Sequence, residues 1–203
     1  SINKKSLISV TNTDYDLLCG IKEIIEKYSD NNIKVRIYKR KEYVDSRGWN
    51  CKESFILMMN SVKFRKFLET VGLNRACCYD KIIPWSILRS PKNVVVAFLR
   101  GLFLGDGSAY VYKQGNSTMF RISYYSVCKQ LCDEVHILLK KLGVVSSMGI
   151  RKSGISKNIQ YSINVNGKYG QKLCKILDIQ KWDTLMKQSN AKYKEDFKYI
   201  SRD

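Results

Sequence analysis

The sequence predicts an α+β fold made of two copies of one unit, and three observations carry that expectation. An internal repeat comes first: Ile8-Ser9-Val10 and the helical run at 16–25 recur 114 residues later as Ile122-Ser123-Tyr124 and 130–139. Next, strand-length segments in both copies alternate basic or polar residues with apolar ones at period two, the pattern of a sheet with one covered face. Last, a single apolar helix with clear ends, residues 90–106, joins the copies.

The first copy reads strand, helix, two strands, helix, with strands around Ile8, at 33–40 and at 55–60 and helices at 16–25 and 64–71. In 33–40, Lys34, Arg36, Tyr38 and Arg40 share one face while Ile33, Val35 and Ile37 share the other. Period-two alternation puts the apolar face on the helices and leaves the basic one for a partner.

The joining helix has Ser90 as a good N-cap, Pro91 at the first helical position, and an apolar run to Leu104 that Gly-Asp-Gly ends. Gly101 and Gly105 lie four apart, so both fall on one face where a second backbone can approach closely. Asp106 follows the last turn, at the tip of the helix. The run is too short to cross a bilayer and contains Arg100.

The second copy adds a strand at 109–113, whose counterpart in the first copy is 1–5. Three polar strand faces follow: Arg121, Ser123 and Tyr125; Ser147 and Arg151; Gln160, Ser162 and Asn164. Helices are expected at 130–139 and 170–177. The expected divisions are a first half at 1–89, a second half at 90–181 and a helical tail at 182–203.

A net charge of +18, from 36 Lys and Arg against 18 Asp and Glu, favours a polyanionic partner, nucleic acid before all others. A ribbon bearing Arg, Lys, Gln, Asn, Ser and Tyr can enter a major groove and reach base edges. The seven cysteines are scattered without a Cys-x-x-Cys, and the chain has one histidine. Zinc ligation and Ser-His or Cys-His chemistry are therefore not expected. His136 reads as a structural residue on a helix flank. Reduced thiols without a signal peptide or membrane segment point to a cytoplasmic, nuclear or organellar protein, not a secreted one, with no membrane partner.

Phe98-Leu99-Arg100-Gly101-Leu102-Phe103-Leu104-Gly105-Asp106-Gly107-Ser108 resembles the signature helix of the LAGLIDADG homing endonucleases. The resemblance implies tandem pseudo-twofold αββαββα-type units, each a curved antiparallel sheet backed by helices, joined at the signature helix. It implies cleavage of a long double-stranded DNA target with Mg2+ (or Mn2+). By the same likeness Asp106 and the Gly105 carbonyl are metal ligands. Lys81, in Lys81-Ile82-Ile83-Pro84, matches the family's lysine, and Lys181 is its counterpart in the second copy, with Lys187 as the alternative. One departure stands out: by the repeat, Ser1 aligns with Ser108, so the first signature helix would lie before Ser1. Either that copy was removed, or a second polypeptide or copy supplies the facing carboxylate, or the protein lacks it. The alternatives are a non-cleaving relative, such as an intron RNA maturase, or a DNA-binding regulator. An intein or an intron could encode any of these.

Overall fold

The computed structural model describes residues 7–29, 32–46, 48–73, 77–152 and 159–189, and the chain divides into two compact units, Ser1–Arg75 and Ala76–Asp203. The first unit runs β1 (Leu7–Asn12), α1 (Tyr15–Tyr28), β2 (Val35–Arg40), β3 (Tyr43–Val44), β4 (Asn50–Cys51), β5 (Ser54–Asn60) and α2 (Val62–Thr70). Each long helix opens on a side-chain cap: Asp14 accepts from the Leu17 N–H at 3.0 Å, and Ser61 from the Phe64 N–H at 3.1 Å. The strands pair antiparallel in the order β1-β5-β2. Ile8, Leu18, Ile25, Ile33, Val35, Leu57 and Met59 form the core between sheet and helices.

The second unit runs α3 (Trp85–Leu88), α4 (Lys92–Asp106), β6 (Gly107–Gln114), β7 (Ser117–Ser126), α5 (Lys129–Lys141), β8 (Ser147–Lys152), β9 (Ile159–Asn166), α6 (Gly167–Leu177), a 3-10 turn (Gln180–Trp182) and α7 (Asp183–Lys187). Its antiparallel sheet has the order β6-β7-β9-β8. Without β6 this repeats β1-β5-β2, and α5 and α6 stand where α1 and α2 stand in the first unit. The duplication is thus present in topology. Among the described residues only the first unit carries a hairpin like β3–β4, which the period-two pattern did not predict; the Arg40 guanidinium stacks 3.8 Å from the Tyr43 ring centroid.

Among the described residues, twenty-two buried ones make one core in the second unit, joining α4, α5 and α6 to the inner sheet face. α6 comes close to the strands because Gly170 has no side chain: a Cβ there would fall 3.0 Å from the Val165 carbonyl oxygen.

Four expectations change. The division falls after Arg75 and not after residue 89, because Ile83 is 1% exposed in the second unit's core. Pro91 is the N-cap of α4 and not its first helical residue. Ser90 does not cap that helix, since its hydroxyl donates to the Ser86 carbonyl at 2.7 Å. Asp106 is the last residue of α4 instead of following it. The stretch from 182 is not a separate tail at its start: Trp182 is 4% exposed and meets Phe103 edge-on at 6.3 Å between ring centroids. The strand expected at 1–5, and the end of the tail from 190, lie outside the described residues. Among the described residues no helix is long and apolar enough to cross a membrane.

Candidate nucleic-acid interface and acidic tip

The acidic tip is built at a joint between helix and strand. α4 buries Val95, Leu99 and Phe103, while Gly101, Gly105 and Asp106 are exposed. A Cβ built on Gly101 or Gly105 would meet nothing within 4 Å among the described residues, so the predicted contact face is open. Gly107 differs. A Cβ there would fall 2.5 Å from the Phe103 carbonyl oxygen and 2.8 Å from its ring. That closeness lets β6 leave α4 with no intervening loop, so the helix ends at Asp106 and the strand starts at the next residue.

Across the ladder from Gly107 sits Tyr124, 2% exposed. Burial pushes its phenol up, and Asp106 is the next cause, followed by Cys132 and Cys128. Asp106 and Cys128 thus lie within electrostatic reach of one hydroxyl.

Cys128 also places Lys81. Its thiol donates to the Lys81 carbonyl at 3.0 Å, and the Ile83 N–H donates to Glu134 Oε2 at 2.5 Å. These two contacts pin the Lys81-Ile82-Ile83-Pro84 segment to the start of α5, with Lys81 itself exposed. Lys81 therefore belongs to the same unit as Asp106, at the same end of the sheet. Lys181 is exposed in the 3-10 turn, next to the Trp182 that packs on Phe103, one turn before Asp106. Lys187 is exposed at the end of α7.

The outward face of the four-stranded sheet collects the polar residues singled out from the sequence. Register places Ser123, Asn164 and Ser147 in one row, Tyr125, Ser162 and Gly149 in the next, and Arg151 opposite Gln160. Ser123 is fully buried and Ser162 is 7% exposed, so they are supports and not contact residues. The Ser123 hydroxyl donates to Asn164 Oδ1 at 2.8 Å, and Asn164 Nδ2 donates to the Ser162 hydroxyl at 3.2 Å, which fixes the Asn164 amide. Gly149 is required here, because a Cβ would fall 2.7 Å from the Ser162 oxygen. Arg151 donates from Nε to Gln160 Oε1 at 2.8 Å and stacks 4.5 Å from the Tyr125 ring centroid.

Arg121 is tied into the protein as well. Its Nε donates to Asn166, and Nη1 and Nη2 donate to the hydroxyls of Tyr110 and Tyr112, each at 3.2 Å. Sequence reasoning placed Tyr110 and Tyr112 on a strand but missed them and Asn166 as site residues. The cue was there, since Tyr110 and Tyr112 repeat at period two beside a strand carrying Arg121. Burial pushes the Tyr110 phenol up, yet hydrogen bonds from Arg121 and Ser123 and the Arg121 charge outweigh it and leave it below its ordinary value.

In the first unit Lys34, Arg36, Tyr38 and Arg40 are all exposed, with Ile33 and Val35 buried behind them, as the alternation predicts. Arg36 Nη1 reaches the Tyr38 hydroxyl at 3.4 Å. His136 is a structural residue: Nδ1 lies 2.6 Å from the Ser146 hydroxyl, and burial, then Lys140, holds its imidazole below the usual range.

The donor set suits one half of a hard-cation site. Asp106 is an exposed carboxylate beside the Gly105 carbonyl, both oxygen donors at the end of α4. Among the described residues no group of three or more His, Cys, Asp or Glu could hold an ion by itself. Mg2+ is commonly held by one or two carboxylates with waters and substrate phosphates filling the rest, and Asp106 fits that mode.

Residues 93–177 match the family model of the LAGLIDADG-like domain. Among curated proteins, the chain is 31% identical over 112 residues to an uncharacterized protein of Methanocaldococcus jannaschii, covering 55% of this chain and 12% of that protein. It is 30% identical over 105 residues to the replicative DNA helicase DnaB of a Nostoc species, covering 51% and 12%, and 35% identical over 91 residues to the helicase Hel308 of Thermococcus kodakarensis, covering 43% and 8%. The chain thus spans about an eighth or less of the length of each of these three. Among solved structures, a variant of the homing endonuclease I-DmoI in complex with its target DNA in the presence of magnesium superposes with a TM-score of 0.58 at 15% identity, over 85% of this chain and 80% of that one. The homing endonuclease I-WcaI bound to its DNA recognition sequence gives 0.50 at 14%, over 91% and 76%.

Proposed function

We propose, from the match of residues 93–177 to the LAGLIDADG-like domain and a fold shared with the homing endonucleases, that this protein is a site-specific endonuclease that hydrolyses phosphodiesters of a long double-stranded DNA target with a divalent metal. One observation carries the reading: the α4 carboxylate is joined without a loop to a sheet whose outward face is an ordered array of Arg, Asn, Gln and Tyr. A surface that reads DNA and a group suited to metal-assisted hydrolysis are therefore one rigid piece.

Asp106 and the Gly105 carbonyl would hold Mg2+ or Mn2+. When bound, the ion supplies a water of lowered pKa and neutralises charge developing on the phosphate. Lys81, with its backbone fixed by Cys128 and Glu134, orders water at that end of the sheet and offsets phosphate charge; Lys181 does the same beside Trp182. Tyr125, Arg151, Gln160, Asn164 and Ser147 face the major groove, as do Lys34, Arg36, Tyr38 and Arg40. Arg121 acts by aiming Tyr110 and Tyr112. A second carboxylate would come from a helix of the α4 kind packed on the open Gly101–Gly105 face, whether from a stretch before Ser1 or from a second polypeptide or copy.

The matched relatives support reading the shared piece as a module. A DnaB helicase, a Hel308 helicase and a mycobacterial DNA gyrase polypeptide have different names, and each is matched over only 8–16% of its length.

The test is cleavage of a randomised duplex pool with Mg2+, alongside Asp106→Asn. Cuts abolished by Asp106→Asn are expected. Duplex binding without cuts at any metal concentration would mean either a DNA reader lacking the facing carboxylate or a DNA-binding regulator. Binding confined to structured RNA would favour the maturase reading.

A further inference from the structure

The two outward sheet faces differ at their centres. In the second unit the central strand β9 presents Ser162 and Asn164, held by hydrogen bonds to each other and to Ser123. At the matching places the first unit's central strand β5 presents Ile56 and Met58. Register makes the match: Thr11, Ile56 and Tyr38 share one row and Ser9, Met58 and Arg36 the next, as Tyr125, Ser162, Gly149 and Ser123, Asn164, Ser147 do in the second unit.

Ile56 and Met58 are not core residues. Leu57 and Met59 take that role at 0% and 3% exposure, and the cluster they join includes neither Ile56 nor Met58. Both are half-buried on the other face, beside the exposed cations Lys34, Arg36 and Arg40. Lys34, Arg36, Tyr38 and Met58 also line one shallow pocket. An apolar strip rimmed by cations fits a polyanion that offers apolar groups at the floor of a groove. In a DNA major groove the one such group on an unmodified base is the thymine C5-methyl.

We infer that the first unit selects its half of the target by packing Ile56 and Met58 on thymine methyl groups, while the second unit reads its half by hydrogen bonds from Asn164 and its neighbours. Residues two apart on a strand are separated by about 6.8 Å, the rise of roughly two base steps. The first unit's half-site therefore carries fixed A·T pairs spaced on that scale. The inference rests on the DNA-binding reading above, and its test separates the two.

Duplexes are selected from a randomised pool with the full chain, and the recovered site is resynthesised with deoxyuridine for thymidine in one half at a time. Deoxyuridine pairs as thymidine does and lacks only the methyl. Wild-type affinity should fall about four-fold for each contacted methyl, in one half only. That sensitivity should vanish in the double variant Ile56→Ser with Met58→Asn, which installs the second unit's residues. Unchanged wild-type affinity for deoxyuridine in both halves overturns the inference and leaves DNA binding standing. Sensitivity that persists in the double variant also overturns it. Failure to enrich any duplex overturns the DNA-binding reading itself, and an acidic protein would then be the partner for this face. Because the decisive comparison uses the unaltered protein, misfolding of the variant cannot mask it.

Discussion

Gly105 and Gly107 flank the same aspartate and do opposite things. Gly105 faces open space on an exposed helix, so Gly105→Ala should stabilise the isolated protein by roughly 0.5–1 kcal/mol through helix propensity. Gly107→Ala drives a methyl into the Phe103 carbonyl and ring and should destabilise by about 1–3 kcal/mol. Urea unfolding of the two variants reads both; equal effects would mean that the joint is not as tight as described. If Gly105→Ala is stabilising yet lowers cleavage, the open face is a working contact. Asp106→Asn should leave stability and duplex affinity near wild type and cut hydrolysis by at least about 100-fold, since it removes charge from a candidate ligand and adds no bulk.

The Lys81 segment is an element held by borrowed groups. Glu134 accepts from the Ile83 N–H and also from Gln130 Nε2. Glu134→Ala leaves the Ile83 N–H without that acceptor and should cost about 1–3 kcal/mol. Amide exchange at Ile83 should quicken, and cleavage should fall while duplex affinity holds. Unchanged exchange at Ile83 would mean that Cys128 alone pins the segment. Much at this scale was legible in the sequence. Alternation at period two placed Lys34, Arg36, Tyr38 and Arg40 on an exposed face, and it grouped Arg121 with Ser123 and Tyr125. Periodicity could not tell that Ser123 is buried beneath its neighbours or that Arg121 spends its donors on Asn166, Tyr110 and Tyr112. The burial of Ser123 and the Arg121–Asn166 bond depend on pairing with β9, 41 to 45 residues on, whereas Tyr110 and Tyr112 lie on the neighbouring strand and were legible. The unit boundary was misplaced for a similar reason: repeat offsets assign residues 77–89 to the first copy, whereas Ile83 is buried in the second unit's core.

At the scale of the whole molecule the two units are unequal. Among the described residues the second has 22 buried in its core and the first has seven. Hydrophobic stabilisation scales with apolar area removed from water, so the first unit should open first. Limited proteolysis should leave a resistant fragment beginning near residue 76. Thiol reactivity gives a second readout. Cys77 and Cys78 are exposed and should label fast. Cys132 is pushed up to about 11 and Cys174 to about 12, chiefly by burial, so both should label only when the second unit opens. Early labelling of Cys174 before the first unit's amides exchange would reverse that order. With a net charge of +18, duplex affinity should also fall steeply as salt rises; a flat salt dependence would argue against phosphate contacts.

The missing loop between α4 and β6 has a mechanical consequence. A loop would act as slack, letting a sheet flex while a helix tip stayed still. Here the sheet and the carboxylate share consecutive residues, and Tyr110, three residues past Gly107, is clamped by Arg121. A bend imposed on the strands is delivered to Asp106 undamped, as along a stiff lever. On the endonuclease reading, a poorly fitting surface pressed on the sheet pushes the acid out of alignment, so stiffness alone enforces fidelity, with no separate proofreading step.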